Sequence, residues 1–423
     1  EERANRRIST LSSQLTVAPT AANVSRSACY AKAGPDDIVI VSALRTPITK
    51  AKRGGFKDTP ADDLLSAVLK ASLDATGVPA AAVGDVVVGS VLGNSSQRAN
   101  ECRIAMFLAG FPETVPVRTV NRQCSSGLQA VADVAASIKA GYYDIGLACG
   151  VESMSTNPMA WEGGFNPRVQ ESTHAQSCLM PMGITSENVA EKFGISRDQQ
   201  DAMAVRSHAR AAAATEAGRF ASEIIPVKTT MKTKEGTAKP VIIAVDDGIR
   251  KGVSAKALST LPTVFKKGGT TTPGNASQVS DGAAAVMVMK RSVAERYKLP
   301  VMAVFRSFAA VGVDPAVMGI GPAAAIPEAV KSAGISVNDV DLFELNEAFA
   351  SQATYCAEKL NLNPDKVNVN GGAIALGHPL GATGARCTAT LLHEMARRNS
   401  RWGIVSMCIG SGMGAAGVFE REA

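Results

Sequence analysis

A cysteine in the segment Val120–Ala130 has the sequence setting of a catalytic thiol. Cys124 follows a polar run and precedes Ser-Ser-Gly, and an apolar-periodic stretch without proline then continues through Ala140. The pattern predicts a loop that becomes a helix with Cys124 at its start. Free N–H groups and the positive end of the helix dipole lower a thiol's pKa there. A buried, inert cysteine is the alternative that this segment alone leaves open.

Two further segments could supply this thiol with partners. His378 lies in a turn rich in glycine and proline that would aim one imidazole in a fixed direction. Cys408 ends a predicted strand, and the glycines after it leave backbone N–H groups free to face a developing oxyanion. Asn346 follows another predicted strand, where it can orient a water molecule or donate a hydrogen bond. These residue types together suit nucleophilic and acid–base chemistry.

The elements that must position these residues alternate between strands and helices. Runs typical of buried strands occur at Ile38–Val41, Val86–Val88 and Ile145–Ala148. Helical runs cover Asp62–Thr76 and the stretch after Cys124. This rhythm predicts an α/β fold whose parallel sheet carries helices on its faces.

The same rhythm returns later in the chain. Its members are Val301–Phe305, Ala323–Ala333, Asp341–Glu344 and Ile404–Met407, with Pro327 expected in the first turn of the helix. The separation from the first set is nearly constant, at about 255 residues, which indicates an internal duplication. Two halves related by a pseudo-twofold axis would bring the cysteine turn and the histidine turn together at their junction.

Composition narrows the class of protein. Hydrophobic residues make up 46% of the 423 residues, charged residues 19%, and the net charge is +6. The basic residues are dispersed without an aromatic-basic recognition motif, so a nucleic-acid partner is not expected. No apolar run is long enough for a membrane span. The eight cysteines show neither metal-ligand spacing nor a disulfide framework, which favours a reducing compartment.

Four motifs, in this order along the chain, resemble those of the thiolases, which act on coenzyme A (CoA) thioesters. They are Asn121–Gly127, Asn346–Phe349, Gly377–Pro379 and Cys408–Gly410. The resemblance spans nearly the whole chain and is nearest to the plant-like peroxisomal 3-ketoacyl-CoA branch. It implies the duplicated thiolase-like α/β fold, with two βαβαβ-type halves in five αβαβα layers and an inserted loop domain.

The implied domain organisation has five segments. They are a presequence at 1–35, the N-terminal half at 36–153, a lid and CoA-binding loop domain at 154–280, a return to the N-terminal half at 281–301 and the C-terminal half at 302–423.

The resemblance also implies a two-stage ping-pong reaction. Cys124, activated by His378, would attack the keto carbon of a 3-ketoacyl-CoA and keep the acyl group as a thioester. Cys408 would protonate the departing acetyl-CoA enolate and then deprotonate the incoming CoA. One oxyanion would be held by His378 and a water positioned by Asn346, and the other by the N–H groups of Cys124 and Gly410.

Further binding roles follow from the same resemblance. Ser277 is expected to contact the pantetheine arm of CoA, and Met182 and Phe349 to line its tunnel, with ordinary packing as the alternative. We expect no bound cofactor, CoA as cosubstrate, and a homodimer.

The sequence is less consistent with three other functions. Pro181 stands where biosynthetic thiolases carry histidine, which favours a degradative enzyme over a dedicated acetoacetyl-CoA thiolase. Pro273 replaces the usual alanine of a CoA-facing loop and would stiffen it. A non-catalytic acyl-CoA or lipid carrier would not need the four reactive positions intact, and a decarboxylating ketoacyl synthase would lack Cys408.

The first 35 residues contain a candidate targeting signal. Arg7-Ile8, five residues, then Gln14-Leu15 resembles the type-2 peroxisomal targeting signal, which predicts recognition by a peroxisomal import receptor. A mitochondrial or plastid transit peptide is the alternative.

A second cysteine bears on regulation. Cys178 lies four residues before Met182 in the lid segment, so we predict a redox switch in which it forms a disulfide with Cys124. A lid cysteine that never meets Cys124 is the alternative.

Overall fold

The structure, a computed structural model, describes residues 34–93, 97–159, 163–233 and 235–422. The targeting motif of Arg7, Ile8, Gln14 and Leu15 lies outside the described residues. The strands are β1 (Ile38–Arg45), β2 (Thr49–Lys50), β3 (Asp85–Gly89), β4 (Val117–Val120), β5 (Ile145–Ser153), β6 (Val227–Lys232), β7 (Ala238–Ile243), β8 (Ser280–Lys290), β9 (Ala303–Gly312), β10 (Leu342–Leu345), β11 (Trp402–Ile409) and β12 (Met413–Glu420). The α-helices are α1 (Ala61–Thr76), α2 (Arg98–Leu108), α3 (Ser126–Lys139), α4 (Thr173–Ser177), α5 (Met182–Phe193), α6 (Arg197–Glu216), α7 (Ala255–Ser259), α8 (Arg291–Arg296), α9 (Gly321–Ala333), α10 (Ala350–Lys359), α11 (Ala373–Leu376) and α12 (Leu380–Arg398).

The strand order shows the internal duplication. The large sheet runs β10-β11-β12-β9-β1-β8-β5-β3-β4, with β2 paired to β8. In the first half β3 and β5 are parallel, whereas β8 is antiparallel to β5 and β1. In the second half β10 and β11 are parallel, and β12 is antiparallel to β11 and β9. The two halves therefore repeat one topology, as the sequence predicts, and they join where β1 pairs with β9.

The fold has five layers, and three buried hydrophobic clusters pack between them. The middle cluster joins α3 and α12 to residues of both sheet halves, such as Ile40 of β1 and Val405 of β11. Alternate residues of the same strands point the other way, because side chains of a strand alternate between its two faces. Val39 faces the cluster beneath α1 and α2, and Ile404 faces the one beneath α9 and α10. Helices, sheet, central helices, sheet and helices thus follow one another.

The segment between β5 and β8 contains α4 to α7 and the hairpin of β6 and β7. A buried ion pair ties it to the first strand. Arg45 Nε lies 2.6 Å from Glu223, and Arg45 Nη1 lies 2.7 Å from Asp246. Because all three side chains are buried, removing one partner would leave an uncompensated charge.

Some element boundaries differ from the sequence-based expectations. The inserted segment contains two successive helices, α5 and α6, which are separated at Gly194, whose φ of 71° ends α5. Pro327 lies inside α9 rather than in its first turn, which Pro322 occupies, so that expectation was wrong. In the described part of the chain, no helix has both the length and the apolar character needed to cross a membrane.

Candidate active site

Cys124 lies in a tight turn that leads into α3. Gln123, immediately before it, has a positive φ of 48°. The Gln123 carbonyl accepts hydrogen bonds from the backbone N–H of Ser126 at 3.0 Å and from its Oγ at 2.6 Å. The same Oγ accepts from the N–H of Arg122 at 2.9 Å. These bonds close the turn and hold Cys124 just ahead of the helix, where the sequence analysis expected it.

Burial dominates the electrostatics of Cys124. The residue is 2% exposed and packs against Met154 and Leu380. Burial raises the pKa of its thiol to about 11, although the backbone N–H groups of Gly410 and of Cys124 itself act in the opposite direction. The expectation that the helix start lowers this pKa is therefore wrong, since these N–H groups do not offset the removal of the sulfur from water. Cys124 is a neutral thiol that needs a base.

His378 is a neutral imidazole held at both ring nitrogens. Its Nδ1 lies 2.7 Å from Thr383 Oγ1, and its Nε2 lies 3.4 Å from Asn346 Nδ2. Because an amide nitrogen only donates, Nε2 carries the lone pair and Nδ1 donates its proton to the threonine. Burial, together with the smaller effect of the positive charge of Arg386, lowers the pKa of His378 to about 3. The lone pair on Nε2 can accept a proton.

The turn that carries His378 connects α11 to α12 and is fixed from several sides. The His378 N–H donates to the Gln278 carbonyl at 3.0 Å. Gly377, the preceding residue, has a φ of 109°, which a residue with a side chain rarely adopts. Buried Glu347 accepts from the Asn368 side chain at 2.8 Å and from the Ile374 N–H at 3.3 Å. Glu347 thereby anchors the segment just before the histidine.

Asn346 presents a free acceptor to the site. Its N–H donates to the Ser406 carbonyl at 2.9 Å, which fixes its backbone beside β11. The side chain is buried, and its Oδ1 has no hydrogen-bond partner among the described residues. A buried amide oxygen in that condition can accept a hydrogen bond from a water molecule, the role the sequence resemblance implies.

Cys408 lies near the end of β11 and is fully buried. Burial raises the pKa of its thiol well above the usual value, and the neighbouring Cys124 and Cys356 raise it further. The two thiols share one site, because a Cβ on Gly410, two residues after Cys408, would lie 3.7 Å from the side chain of Gln123, the residue before Cys124. The Cys408 Sγ lies 3.6 Å from the amide end of Gln352.

The expected binding residues differ in what they contact. Met182 and Phe349 pack in one small cluster with Cys408, so the site has an apolar wall there. Ser277 is half-buried, and its N–H donates to the Ala348 carbonyl at 3.0 Å, next to Phe349. All three residues thus lie around the second thiol.

Cys178 lies at the edge of the same site. It is exposed, and its Sγ lies 3.8 Å from the Ser411 carbonyl. The N–H of Gly410, the residue before Ser411, faces the sulfur of Cys124. The two cysteines therefore contact neighbouring residues of one turn.

Three polar residues that position the groups of this site were not predicted from the sequence. Thr383 binds the histidine, Gln352 contacts the second thiol, and Glu152 accepts N–H bonds from Val91 and Gly381 at 2.9 Å each. Thr383 and Gln352 follow the histidine and asparagine motifs closely, so a search for polar residues one or two turns away would have found them. Glu152 lies in a strand and carried no such signal.

Comparisons with known proteins agree with this geometry. Residues 38–292 match the family described as "Thiolase, N-terminal domain" and residues 299–421 match "Thiolase, C-terminal domain". The chain is 64% identical over 414 residues to "3-ketoacyl-CoA thiolase 2, peroxisomal" of Arabidopsis thaliana, covering 97% of this chain and 89% of the relative. It is 63% identical over 413 residues to "3-ketoacyl CoA thiolase 1, peroxisomal" of Petunia hybrida, with the same two coverages.

Solved structures share the fold. The dimeric peroxisomal thiolase of Saccharomyces cerevisiae superimposes with a TM-score of 0.84 at 45% identity, covering 92% of this chain and 99% of that one. Human mitochondrial 3-ketoacyl-CoA thiolase in complex with CoA superimposes with a TM-score of 0.82 at 37% identity, covering 92% and 98%. The expected thiolase-like fold is confirmed, and the chain belongs to the thiolase family.

Proposed function

We propose that the protein is an acyltransferase that cleaves 3-ketoacyl-CoA with CoA, releasing acetyl-CoA and a shortened acyl-CoA, as in fatty-acid β-oxidation. The observation that carries this proposal is a single buried site containing two thiols, Cys124 and Cys408, and a neutral imidazole, His378. Contacts through Asn346 and Gln352 join the imidazole to Cys408, and Gly410 lies against the turn of Cys124. High identity to plant relatives named peroxisomal 3-ketoacyl-CoA thiolases supports the substrate class.

In the first half-reaction the Cys124 sulfur attacks the keto carbon while its proton passes to His378 Nε2. The Gly410 N–H faces the sulfur, so it also lies close to the keto oxygen of the attacked carbon. This N–H can stabilise the negative charge that develops on that oxygen. Cleavage of the carbon–carbon bond leaves the acyl group on Cys124 and an acetyl-CoA enolate. The imidazolium and a water bound to Asn346 Oδ1 stabilise the enolate oxygen, and the Cys408 thiol protonates its carbon.

In the second half-reaction CoA enters in place of acetyl-CoA. The Cys408 thiolate removes the proton of the CoA thiol, and the CoA sulfur then attacks the acyl carbon on Cys124. The departing Cys124 sulfur takes back the proton from His378, which restores every group to its starting state. Two thiols with separate tasks account for a site that holds both.

A CoA-dependent cleavage assay with 3-ketoacyl-CoA of increasing chain length tests the proposal. We expect loss of substrate matched by one acetyl-CoA and one shortened acyl-CoA, with no cleavage when CoA is omitted. Binding of these thioesters without cleavage would instead indicate a non-catalytic acyl-CoA carrier.

The same assay separates the degradative enzyme from a biosynthetic acetoacetyl-CoA thiolase. Pro181 is the residue before α5, whose first residue, Met182, packs beside Cys408. A proline offers no imidazole at that position. Cleavage of acetoacetyl-CoA alone, with no activity on longer chains, would favour the biosynthetic function.

We further propose that residues 154–280 form the CoA-binding lid, inserted between 36–153 and the returning segment 281–301, and that 302–423 form the second half. Ser277, Met182 and Phe349 would contact the pantetheine arm, which hydrogen–deuterium exchange with and without CoA would test. A homodimer is supported by the dimeric yeast relative and by β4, which lies at the edge of the sheet, where a second copy could pair.

The proposed location is the peroxisome, with import through Arg7, Ile8, Gln14 and Leu15 and the matching receptor. The names of the relatives support the compartment. A fluorescent protein fused to residues 1–35 should reach peroxisomes, and Arg7→Ala should abolish its import. Delivery to mitochondria would contradict the assignment.

A further inference from the structure

Gln352 is a buried polar residue beside the second thiol. It lies on α10 and is 1% exposed, and its amide end lies 3.6 Å from the Cys408 Sγ. The amide nitrogen donates to the Asn346 carbonyl. One amide therefore links the thiol to the backbone of the residue whose side chain faces His378.

The neighbouring backbone groups select one of the two orientations that this amide could take. In that orientation the nitrogen donates to the Asn346 carbonyl at 3.2 Å and the oxygen accepts from the Ala353 N–H at 2.9 Å. The nitrogen then occupies the position 3.6 Å from the sulfur. The reverse orientation would set the oxygen against the Asn346 carbonyl and the nitrogen against the Ala353 N–H, so the nitrogen is the atom that faces the sulfur.

We propose that Gln352 is a positioning residue for the proton transfers of Cys408, presenting its amide nitrogen to the thiolate. This inference deepens the proposed function and rests on it. One N–H of the amide donates to the negatively charged sulfur, while the other keeps its bond to the Asn346 carbonyl.

The chemistry of Cys408 creates the need for such a partner. Its thiol gives a proton to the acetyl-CoA enolate, becomes a thiolate, and regains a proton from CoA. Between these steps the negative charge is on a fully buried sulfur, where burial disfavours it. A donor that neighbouring backbone groups already hold beside the sulfur stabilises the thiolate.

The surroundings hold the rest of this side chain still. A Cβ on Gly319 would lie 2.6 Å from the Gln352 Cβ, so the absence of a side chain there lets the glutamine stem pack closely. The fixed stem keeps the amide nitrogen beside the sulfur.

The test compares proton transfer with acylation in one enzyme. Deuterium exchange at the methyl group of acetyl-CoA reports proton removal by Cys408, and the mass of the protein reports acetylation of Cys124. We expect Gln352→Met, which keeps the length without the amide, to slow exchange about tenfold to a hundredfold, as loss of a bond to a charged group predicts. Acetylation of Cys124 should persist.

The pH profile distinguishes this role from simple packing. The Gln352→Met variant should reach a given rate of deuterium exchange only at a pH about one unit higher or more, because the thiolate loses its hydrogen-bond donor. Gln352→Glu, which accepts from the thiol but repels the thiolate, should shift in the same direction. The control Ser351→Ala removes a buried hydroxyl of the same helix that bonds Ser186 at 2.7 Å, and it should leave the profile unchanged.

An independent readout keeps the inference separate from the overall reaction. The pH dependence of Cys408 alkylation in a Cys124→Ser background measures the thiol without turnover, and Gln352→Met should shift it upward too. Unshifted exchange and alkylation profiles in both Gln352 variants would overturn the inference. Absence of acetylation in the wild-type protein, with Cys408 alkylation still shifted by Gln352→Met, would overturn the proposed function alone.

Discussion

Gly127 of α3 faces the backbone of Ala385 of α12 so closely that a Cβ on the glycine would lie 2.7 Å from the Ala385 nitrogen. Gly384 of α12 likewise leaves no room for a side chain against Leu128 of α3. One helix follows the cysteine turn and the other follows the histidine turn. This contact between the starts of the central helices therefore brings the chemistry of the two halves into one site.

We predict that Gly127→Ala destabilises the protein, because its new methyl group overlaps fixed backbone rather than a side chain that could move away. The expected loss is about 1–3 kcal/mol of unfolding free energy, measured by chemical denaturation, together with reduced activity. The control Gly164→Ala adds a methyl group where nothing lies within 4 Å and should change neither property. Unchanged stability of Gly127→Ala would contradict the role of this contact.

Thr383 should be needed for the imidazole to act as a base. Thr383→Val keeps the shape but removes the acceptor for Nδ1–H of His378, which favours the tautomer that cannot take the Cys124 proton. We predict a loss in kcat worth about 1–3 kcal/mol, or about fivefold to 150-fold. Thr383→Ser should retain activity. Thr388→Val loses a buried bond of 2.9 Å to Gly384 on the same helix and should keep kcat; an equal loss there would contradict the prediction.

The main features of the fold could be predicted from the sequence because they rest on local periodicity. The buried-strand runs, the helix after Cys124 and the repeat at about 255 residues all correspond to observed elements. The motifs around Cys124, His378 and Cys408 indicated the site because glycines and polar residues mark turns at the ends of elements. These are properties of neighbouring residues along the chain.

The properties that were not predicted depend on tertiary burial. The raised pKa of Cys124 follows from packing against Met154 and Leu380, which are distant in sequence. Pro327 is accommodated inside a helix although its ring provides no N–H, which local rules do not anticipate. Gln352 contacts Cys408 across a gap of 56 positions, and no local pattern marks that pairing.

The pKa values predict an unusual pH dependence for acylation. His378, with its pKa lowered to about 3, becomes protonated only in strong acid, and Cys124, with its pKa raised to about 11, ionises only in strong base. Between those limits the pair stays as neutral imidazole and thiol. The rate of Cys124 acylation, measured by rapid quench, should therefore be flat from about pH 5 to 9. A change in the acylation rate centred near the ordinary histidine pKa of about 6.5 would contradict this prediction.

The redox switch between Cys124 and Cys178 remains a prediction. The two thiols contact neighbouring residues of the Gly410–Ser411 turn and are both free, and a disulfide would need their Cα atoms within about 7 Å. Peroxide would oxidise the pair, forming one disulfide and two water molecules per peroxide. Activity should fall with mild peroxide and return with a dithiol. The same reversible loss in Cys178→Ser, with no Cys124–Cys178 link in peptide maps, would exclude the switch.

The central claim is that Cys124 is the nucleophile and Cys408 the acid–base thiol. Intact-protein mass spectrometry after mixing with 3-ketoacyl-CoA in the absence of CoA tests it most directly. We predict an added acyl group that peptide mapping assigns to Cys124, no acyl group in Cys124→Ala, and slow but complete acylation in Cys408→Ala. An acyl group on Cys408, or equal loss of acylation in both variants, would contradict this division of roles.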